Sequence, residues 1–262
     1  MRSIFSLFLA SVFCFTGCRK KPDPVPPVLI DDGGSTATDG HLRIVFENVV
    51  GSVPLQLDTA VLYTNAAGNI FSVSIYRYYI SNIKIWRADG TSYTELESYH
   101  LINEALASSK SFTLHDVPAG DYQRISFIIG VDSARNTIGA QTGALDPMNG
   151  MYWDWNTGYI MAKLEGKSPQ SAATDSGIVF HMGGFGGQYS VLRTVSLQLP
   201  QLANVTENKT PSIHIKSDVL EWFRTPTVID FTTDFTITDV GKNAAAIASN
   251  YSDMFTVDHV EN

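Results

Sequence analysis

Hydrophobic and polar residues alternate in short runs along this chain from His41 onward. Leu42, Ile44 and Phe46, for example, are separated by Arg43 and Val45. Alternation of this kind predicts a β-strand with one buried face. The segments with this pattern, or with a β-rich composition, are 42–46, 60–64, 70–75, 78–88, 99–102, 111–114, 122–131, 159–164, 177–182, 193–199 and 212–217.

Turn residues separate the predicted strands, and little helix is indicated. Asp89 and Gly90 form a typical hairpin turn after segment 78–88. The strongest helical segment is 243–251, which is rich in alanine. The pattern therefore predicts an all-β fold, an antiparallel β-sandwich with long loops and a short C-terminal helix.

The first forty residues differ in composition from the rest. Residues 1–17 have a basic start and an apolar run too short to span a bilayer, so they predict a signal peptide. Small residues before Cys18 are similar to a bacterial lipobox and predict lipidation of Cys18, although ordinary cleavage with a free thiol is the alternative. Residues 18–40 are rich in proline and then glycine, which is typical of a tether, and the folded domain is expected at 41–262. We expect a lipid-anchored protein of the bacterial cell envelope, at the periplasmic or the surface face of the outer membrane.

Composition limits the chemistry that this domain can perform. Hydrophobic residues make up 44% of the 262 residues, enough for a sizeable core, and the net charge is −8. An acidic surface repels phosphate backbones, so nucleic acid is not an expected partner. The two cysteines, Cys14 and Cys18, both precede the predicted domain. A metal in the domain must therefore be held by histidine, carboxylate, amide or methionine.

No motif for catalysis is present. The sequence lacks a phosphate-binding glycine loop, a dinucleotide fingerprint, an HExxH pair and an EF-hand loop. Serine and histidine occur without the context of a nucleophile elbow. We therefore expect a binding protein that is not an enzyme.

The aromatic-rich stretch 143–159 is the most distinctive part of the sequence. It overlaps a long irregular segment, 132–150, and the two together form the aromatic-rich loop. Trp153, Trp155 and Tyr159 lie close together in it, either as large side chains that lock the loop to the sandwich or as binding aromatics. The loop also holds an oxygen-rich set that can serve calcium, Asp132, Asp146, Asn149, Asp154 and Asn156. Their spacing fits no defined calcium loop, so local turn bonding is the alternative.

Five short motifs, taken in order, resemble the MbnP-like family of periplasmic or lipid-anchored proteins associated with methanobactin copper-handling genes. The motifs are Tyr79-Ile80-Ser81-Asn82-Ile83, Ser98-Tyr99-His100-Leu101, Gly130-Val131-Asp132-Ser133, the Trp153 stretch, and Phe180-His181-Met182-Gly183. Relatives of the family include the surface copper proteins MopE and CorA. The resemblance implies copper binding without catalysis. It also implies a di-haem peroxidase-like maturation partner, which tryptophan oxidation in the family would require.

Three histidines are candidate copper ligands, because imidazole suits copper. His181 ends a predicted strand beside a glycine-rich loop, and the resemblance points to it as well. His259 shares one side of an extended tail with Glu261, and His100 can complete a site with His181. The alternatives are a core histidine bonded to backbone for His181, a solvated tail for His259, and core packing for His100. His115 and His214 are predicted to be surface residues.

The chain departs from the family in two ways: the first argues against a copper site with a modified tryptophan, and the second weakens a copper(I) site. The family's modified tryptophan stands two positions before a histidine, but Asp154 and Asn156 follow the tryptophans here. Many family members have a second histidine where Glu261 stands, and a carboxylate there suits a harder ion. The competing hypothesis is a surface interaction or carbohydrate-binding module that uses exposed aromatics and holds no metal.

Overall fold

Fourteen strands form two β-sheets in the part of the chain that the computed structural model describes, residues 39–58, 60–153 and 158–262. The first seven are β1 (Asp39–Val50), β2 (Val53–Pro54), β3 (Tyr63–Thr64), β4 (Ile70–Arg87), β5 (Ser92–Thr94), β6 (Tyr99–Asn103) and β7 (Ser111–Pro118). The others are β8 (Gly120–Ile129), β9 (Ile160–Lys167), β10 (Gly177–Gly183), β11 (Arg193–Val205), β12 (Ser212–Asp218), β13 (Thr236–Ile237) and β14 (Phe255–Glu261).

The helices in the described residues are short. The two α-helices are α1 (Ser133–Asn136) and α2 (Lys242–Asn250). Single 3-10 turns occupy Ala107–Lys110, Gly143–Leu145, Pro147–Asn149, Gly187–Tyr189, Val219–Phe223 and Tyr251–Asp253. The predicted C-terminal helix is confirmed as α2, and none of the described helices is long and apolar enough to cross a bilayer.

The two sheets confirm the predicted β-sandwich. Sheet I has the order β14-β12-β1, with β7 and β2 sharing the other edge of β1. Sheet II has the order β11-β8-β4-β9-β10-β13, and β3, β5 and β6 also pair with β4. Most pairs are antiparallel, while β1 with β12 and β10 with β13 run parallel.

Strand β4 is longer than the sequence pattern predicts. Segments 70–75 and 78–88 were predicted as separate strands, but they form one strand of 18 residues. Its first half pairs with β9 and its second half with β8, with shifts of register at Val73/Ile75 and Ser81/Lys84. These bulges change which residues face the core, so the alternation breaks although the strand continues.

The core lies between the inner faces of the two sheets. Phe46 of β1 is 2% exposed, and its ring lies 6.2 Å from Tyr78, 6.0 Å from Phe127 and 5.8 Å from Phe255. These rings come from both sheets, so they join the layers. Trp222 extends the same core, with its ring 5.8 Å from Tyr76.

The chain ends differ from the predicted boundaries in small ways. Strand β1 begins at Asp39, two residues before the expected start of the domain. The extended C-terminal tail is a regular strand, β14, which pairs with β12. The signal peptide, Cys18 and most of the tether lie outside the described residues.

Candidate metal centre

Strands β12 and β14 bring two histidines together on the outer face of sheet I. His214 and His259 are cross-strand partners in the antiparallel register. Their rings are stacked, with centroids 4.2 Å apart and an interplanar angle of 15°. His214 lies between buried Ile213 and Ile215, so its side chain points away from the core.

Both imidazoles have the same arrangement of carboxylates. Nδ1 of His214 lies 3.3 Å from Glu47 and its Nε2 lies 3.6 Å from Oε2 of Glu261. Nδ1 of His259 lies 2.8 Å from Asp258 and its Nε2 lies 3.5 Å from Oε1 of Glu261. The two Nε2 atoms therefore converge on one carboxylate, while separate carboxylates hold the two Nδ1 atoms.

A β-bulge explains how neighbouring residues serve the same ring. His214 pairs with His259 and Ile215 pairs with Val257, which leaves Asp258 as an extra residue in β14. An extra residue disturbs the strict alternation of side chains. Asp258 can thus contact the Nδ1 atom of its own neighbour His259 and the ammonium group of Lys216 on β12.

The three groups fit a metal ion in donor type and spacing. His214, His259 and Glu261 each offer a ligand atom, and the three atoms lie within 4.8 Å of one another. Ligands about 2.0–2.1 Å from a tetrahedral ion lie about 3.4 Å apart, close to the two distances to Glu261. Among the described residues this is the one such cluster of three histidine, cysteine or acidic groups.

Charge around the cluster favours fixed ring orientations. The pKa of the Asp258 carboxyl is lowered, first by its bond from Lys216 and then by the bond from His259. The bond to Asp258 is in turn the main cause of a raised pKa of His259. When the imidazole is neutral, a carboxylate at Nδ1 keeps the proton there and leaves Nε2 as the free donor atom.

His181, the strongest candidate from the sequence, lies elsewhere. It is on the outer face of sheet II, where Nε2 lies 2.8 Å from Oε1 of Glu165. Lys163 is 3.2 Å from the same carboxylate. The bond from His181 is the main reason that the pKa of Glu165 falls to about 2, with the charge of Lys163 adding to it and burial opposing it. The partner of His181 is thus a side chain, while the expected alternative was a bond to backbone.

His100 also lies apart from the other candidates. It pairs with Ile80 on the inner side of sheet II, opposite to the face that carries His181. Its ring stacks on Phe112 at 3.6 Å, and its Nε2 lies 2.8 Å from Glu95. This half-buried packing agrees with the structural alternative for His100. The three histidines named from the sequence therefore do not share one site.

The aromatic-rich loop is fixed to sheet II by its large side chains. Trp153 is 5% exposed and Tyr159 is 1% exposed, which favours their structural role over binding. Glycine is required at position 183, because a Cβ atom there would lie 2.1 Å from Cζ3 of Trp153. The glycine beside His181 thus makes room for the tryptophan ring. Trp155, Asp154 and Asn156 lie outside the described residues.

Three of the motifs that carry the family resemblance meet at Asp132. One carboxylate oxygen accepts from Tyr99 at 2.6 Å and from Asn82 at 2.7 Å. The other accepts from the backbone N–H groups of Ala134 and Arg135, which caps α1. Burial alone would raise the pKa of Asp132, but these four bonds outweigh it and lower that pKa.

The remaining oxygen and sulfur candidates have local partners. Asp146 caps the turn at Met148, and the side chain of Asn149 donates to two backbone carbonyls. These contacts agree with the turn-bonding alternative to calcium. Met151, Met161 and Met182 are buried in the core, whereas Met148 is 91% exposed.

His214 is the site residue that the sequence pattern did not identify. Its outward position followed from the alternation in 212–217, and His259 with Glu261 was recognised as a pair. The missing step was the pairing of β12 with the tail. A hydrophobic tail strand, Phe255, Val257 and Val260, was the available signal that the tail joins a sheet.

Comparison with known proteins gives a family and a fold. The sequence model of the MbnP family matches residues 39–244. The solved structure of MbnP from Methylosinus trichosporium superposes with a TM-score of 0.52 at 13% identity, over 84% of this chain and 98% of that one. No curated protein is significantly similar in sequence. The family match includes His214 and ends before His259 and Glu261.

Proposed function

The chain belongs to the MbnP family, and from this premise we propose that it is a non-catalytic metal-binding lipoprotein of the cell envelope. The proposed ligands are His214, His259 and Glu261, and the metal is a divalent ion, with copper(II) as the preferred one. Copper is the family's expected metal by resemblance. The observation that carries the site is the convergence of two Nε2 atoms on Glu261 at 3.5 and 3.6 Å. Affinity of such nitrogen and oxygen donors for divalent metals is highest at copper(II).

Each residue of the proposed site has a defined role. His214 and His259 supply imidazole nitrogens, and Glu261 supplies the anionic ligand. Glu47 and Asp258 accept from the Nδ1 atoms and orient the rings, a role that carboxylates commonly have beside metal-bound histidines. Imidazole with carboxylate favours copper(II) over copper(I), which prefers soft sulfur donors.

The proposed ligand set contains no oxidised tryptophan. Ser212 stands two positions before His214, and no histidine in the chain has a tryptophan two positions before it. A di-haem peroxidase-like partner stays a proposal from the family resemblance alone. The three ligands named here do not depend on it.

We expect His214→Ala and His259→Ala each to weaken copper(II) binding by at least the 10–100-fold that loss of a ring-orienting partner alone typically costs. The mature chain is titrated with copper(II) against a chromophoric chelator of known affinity. His181→Ala and His100→Ala are the matched controls, because they remove an imidazole at other places and are expected to leave the affinity unchanged.

The same titration separates the competing sites. A loss of affinity in His181→Ala with full binding in His259→Ala moves the site to sheet II and contradicts the proposal. If the wild-type chain binds copper(II) and zinc(II) no better than the double variant His214→Ala, His259→Ala, the proposed metal-binding function is wrong. The interaction-module hypothesis then takes its place.

The lipid anchor has an independent test. We expect Cys18→Ala to move the protein from the membrane to the soluble fraction, because one thiol carries the lipid. Cys14→Ala, inside the predicted signal peptide, is the matched control and is expected to remain in the membrane fraction. Retention of Cys18→Ala in membranes washed with high salt contradicts lipidation. The metal titration does not depend on this result.

A further inference from the structure

The outer face of sheet II is open along β5, β4, β8 and β11. In the paired segments 84–86, 92–94, 124–128 and 194–198, the outward side chains include two cations, Lys84 and Arg124, the ring of Trp86, and hydroxyl groups such as those of Ser126, Thr194 and Ser196. Segments 84–86, 92–94, 124–128 and 194–198 contain no aspartate or glutamate, and Asp121, near the start of β8, accepts a hydrogen bond from Asn204. A patch of this size without a carboxylate is notable on a chain whose net charge is −8.

The two cations on this face lack anionic partners. Lys84 and Arg124 have no carboxylate within 4.0 Å among the described residues, while Lys110, Lys163 and Lys216 are each paired with one. Lys84 pairs with Ser126, so Lys84 and Arg124 are diagonal neighbours, about 7–8 Å apart at their Cα atoms. An anion beside them would relieve the repulsion between these two charges.

Trp86 is held in a fixed orientation at the centre of this face. Its indole Nε1 donates to Ser126 Oγ at 3.1 Å, and the Arg124 guanidinium lies 4.5 Å from the ring centroid. A groove of about 420 Å³ runs beside the ring, lined by Lys84, Trp86, Ile128 and Thr194 among others. The groove thus combines apolar surface, hydroxyl groups and positive charge.

We propose that this face binds an acidic polysaccharide of the polyuronate type. The apolar side of a sugar ring suits Trp86 and Ile128, and sugar hydroxyls suit the serine and threonine groups. Lys84 and Arg124 supply charge-assisted hydrogen bonds to uronate carboxylates. Repulsion from the rest of the acidic protein is screened beyond about 8 Å at physiological salt. The electrostatic interaction at this face is therefore set by Lys84 and Arg124.

This surface is separate from the proposed metal centre. The metal ligands lie on the outer face of sheet I, on β12 and β14, whereas the groove lies on the outer face of sheet II. The aromatic group of the groove is Trp86, and it does not come from the aromatic-rich loop that contains Trp153. Binding at one face can therefore be lost without loss at the other.

The test is calorimetric titration of the mature chain with polygalacturonate, with neutral dextran as the comparison glycan. We expect binding of polygalacturonate alone. The double variant Lys84→Glu, Arg124→Glu is expected to weaken it by at least roughly tenfold per cation, the order expected for loss of a charge-assisted bond. The double variant Lys209→Glu, Lys242→Glu makes the same charge change at exposed positions elsewhere and is expected to bind like wild type.

Four outcomes overturn the proposal. They are absence of binding to polygalacturonate, equal binding of dextran, equal losses in both double variants, and tighter binding of single-stranded oligonucleotide than of polygalacturonate. Circular dichroism of each variant separates misfolding from loss of the surface. If the Lys84 and Arg124 variant misfolds, Thr194→Glu and Ser196→Glu, which add charge at exposed positions on the same face, must weaken binding.

Discussion

Phe46→Ala is expected to lower the free energy of unfolding by about 3–5 kcal/mol, the usual cost of removing a buried phenylalanine. The ring is 2% exposed and contacts aromatic rings of both sheets, including Phe127 and Phe255. Its loss leaves a cavity between the layers that neighbouring rigid rings fill poorly. Urea unfolding followed by far-ultraviolet circular dichroism measures the change.

Val45→Ala on the same strand is the matched control for Phe46→Ala. Val45 faces the outer side of sheet I and is partly exposed, so we expect a loss of about 1 kcal/mol or less. Equal losses for the two variants would show that β1 does not present alternate faces to core and solvent. The outward position of Glu47 on this strand, and with it the contact of Glu47 with Nδ1 of His214, would then be wrong.

Local alternation predicted the fold class because each strand of this sandwich has one buried face. Segment 42–46 became β1 with Leu42, Ile44 and Phe46 buried. The same rule failed where bulges interrupt the regular pairing of the strands. In β4, bulges and the left-handed conformation of Asn82 (φ 55°) reverse the faces within one continuous strand, and composition does not indicate such a reversal.

Pairing between distant strands was the part that local patterns could not supply. The alternation placed His214 outward and the tail placed His259 beside Glu261, but the metal centre exists only because β12 and β14 are neighbours. Phe255 is one of the buried residues that hold β14 in this position. It packs against Phe46 and Phe127 in the core and anchors the strand that carries two of the three proposed ligands.

The sequence motifs were more informative about the scaffold than about the ligands. His181, inside one motif, lies beside Glu165, and Gly183 accommodates Trp153. Tyr99 and Asn82, inside two others, donate to Asp132 inside a third. Residues that resemble the family thus fix the long loop to sheet II, and the proposed ligands lie outside these motifs.

Asp132→Ala is expected to lower the free energy of unfolding by about 2–5 kcal/mol. It removes the acceptor of Tyr99 and Asn82 and the cap of α1. The bonds from Tyr99 and Asn82 end on the same carboxylate oxygen and are counted together as one interaction with a charged group, about 1.5–3 kcal/mol. Loss of a helix cap costs about 0.5–2 kcal/mol. The same urea titration measures the difference between variant and wild type.

Asp146→Ala is the matched control for Asp132→Ala, because Asp146 caps a turn of the same loop with a single bond to Met148. We expect it to cost about 1 kcal/mol. The difference between the variants should shrink in acid. The pKa of Asp132 is lowered in the folded protein. Its ionised carboxylate therefore stabilises the fold fully above the unfolded carboxyl pKa of about 3.9, and this stabilisation is lost as the pH falls from there through the lower pKa of the folded state. Equal losses for both variants at neutral pH would show that the contacts of Asp132 with Tyr99 and Asn82 add nothing to its cap.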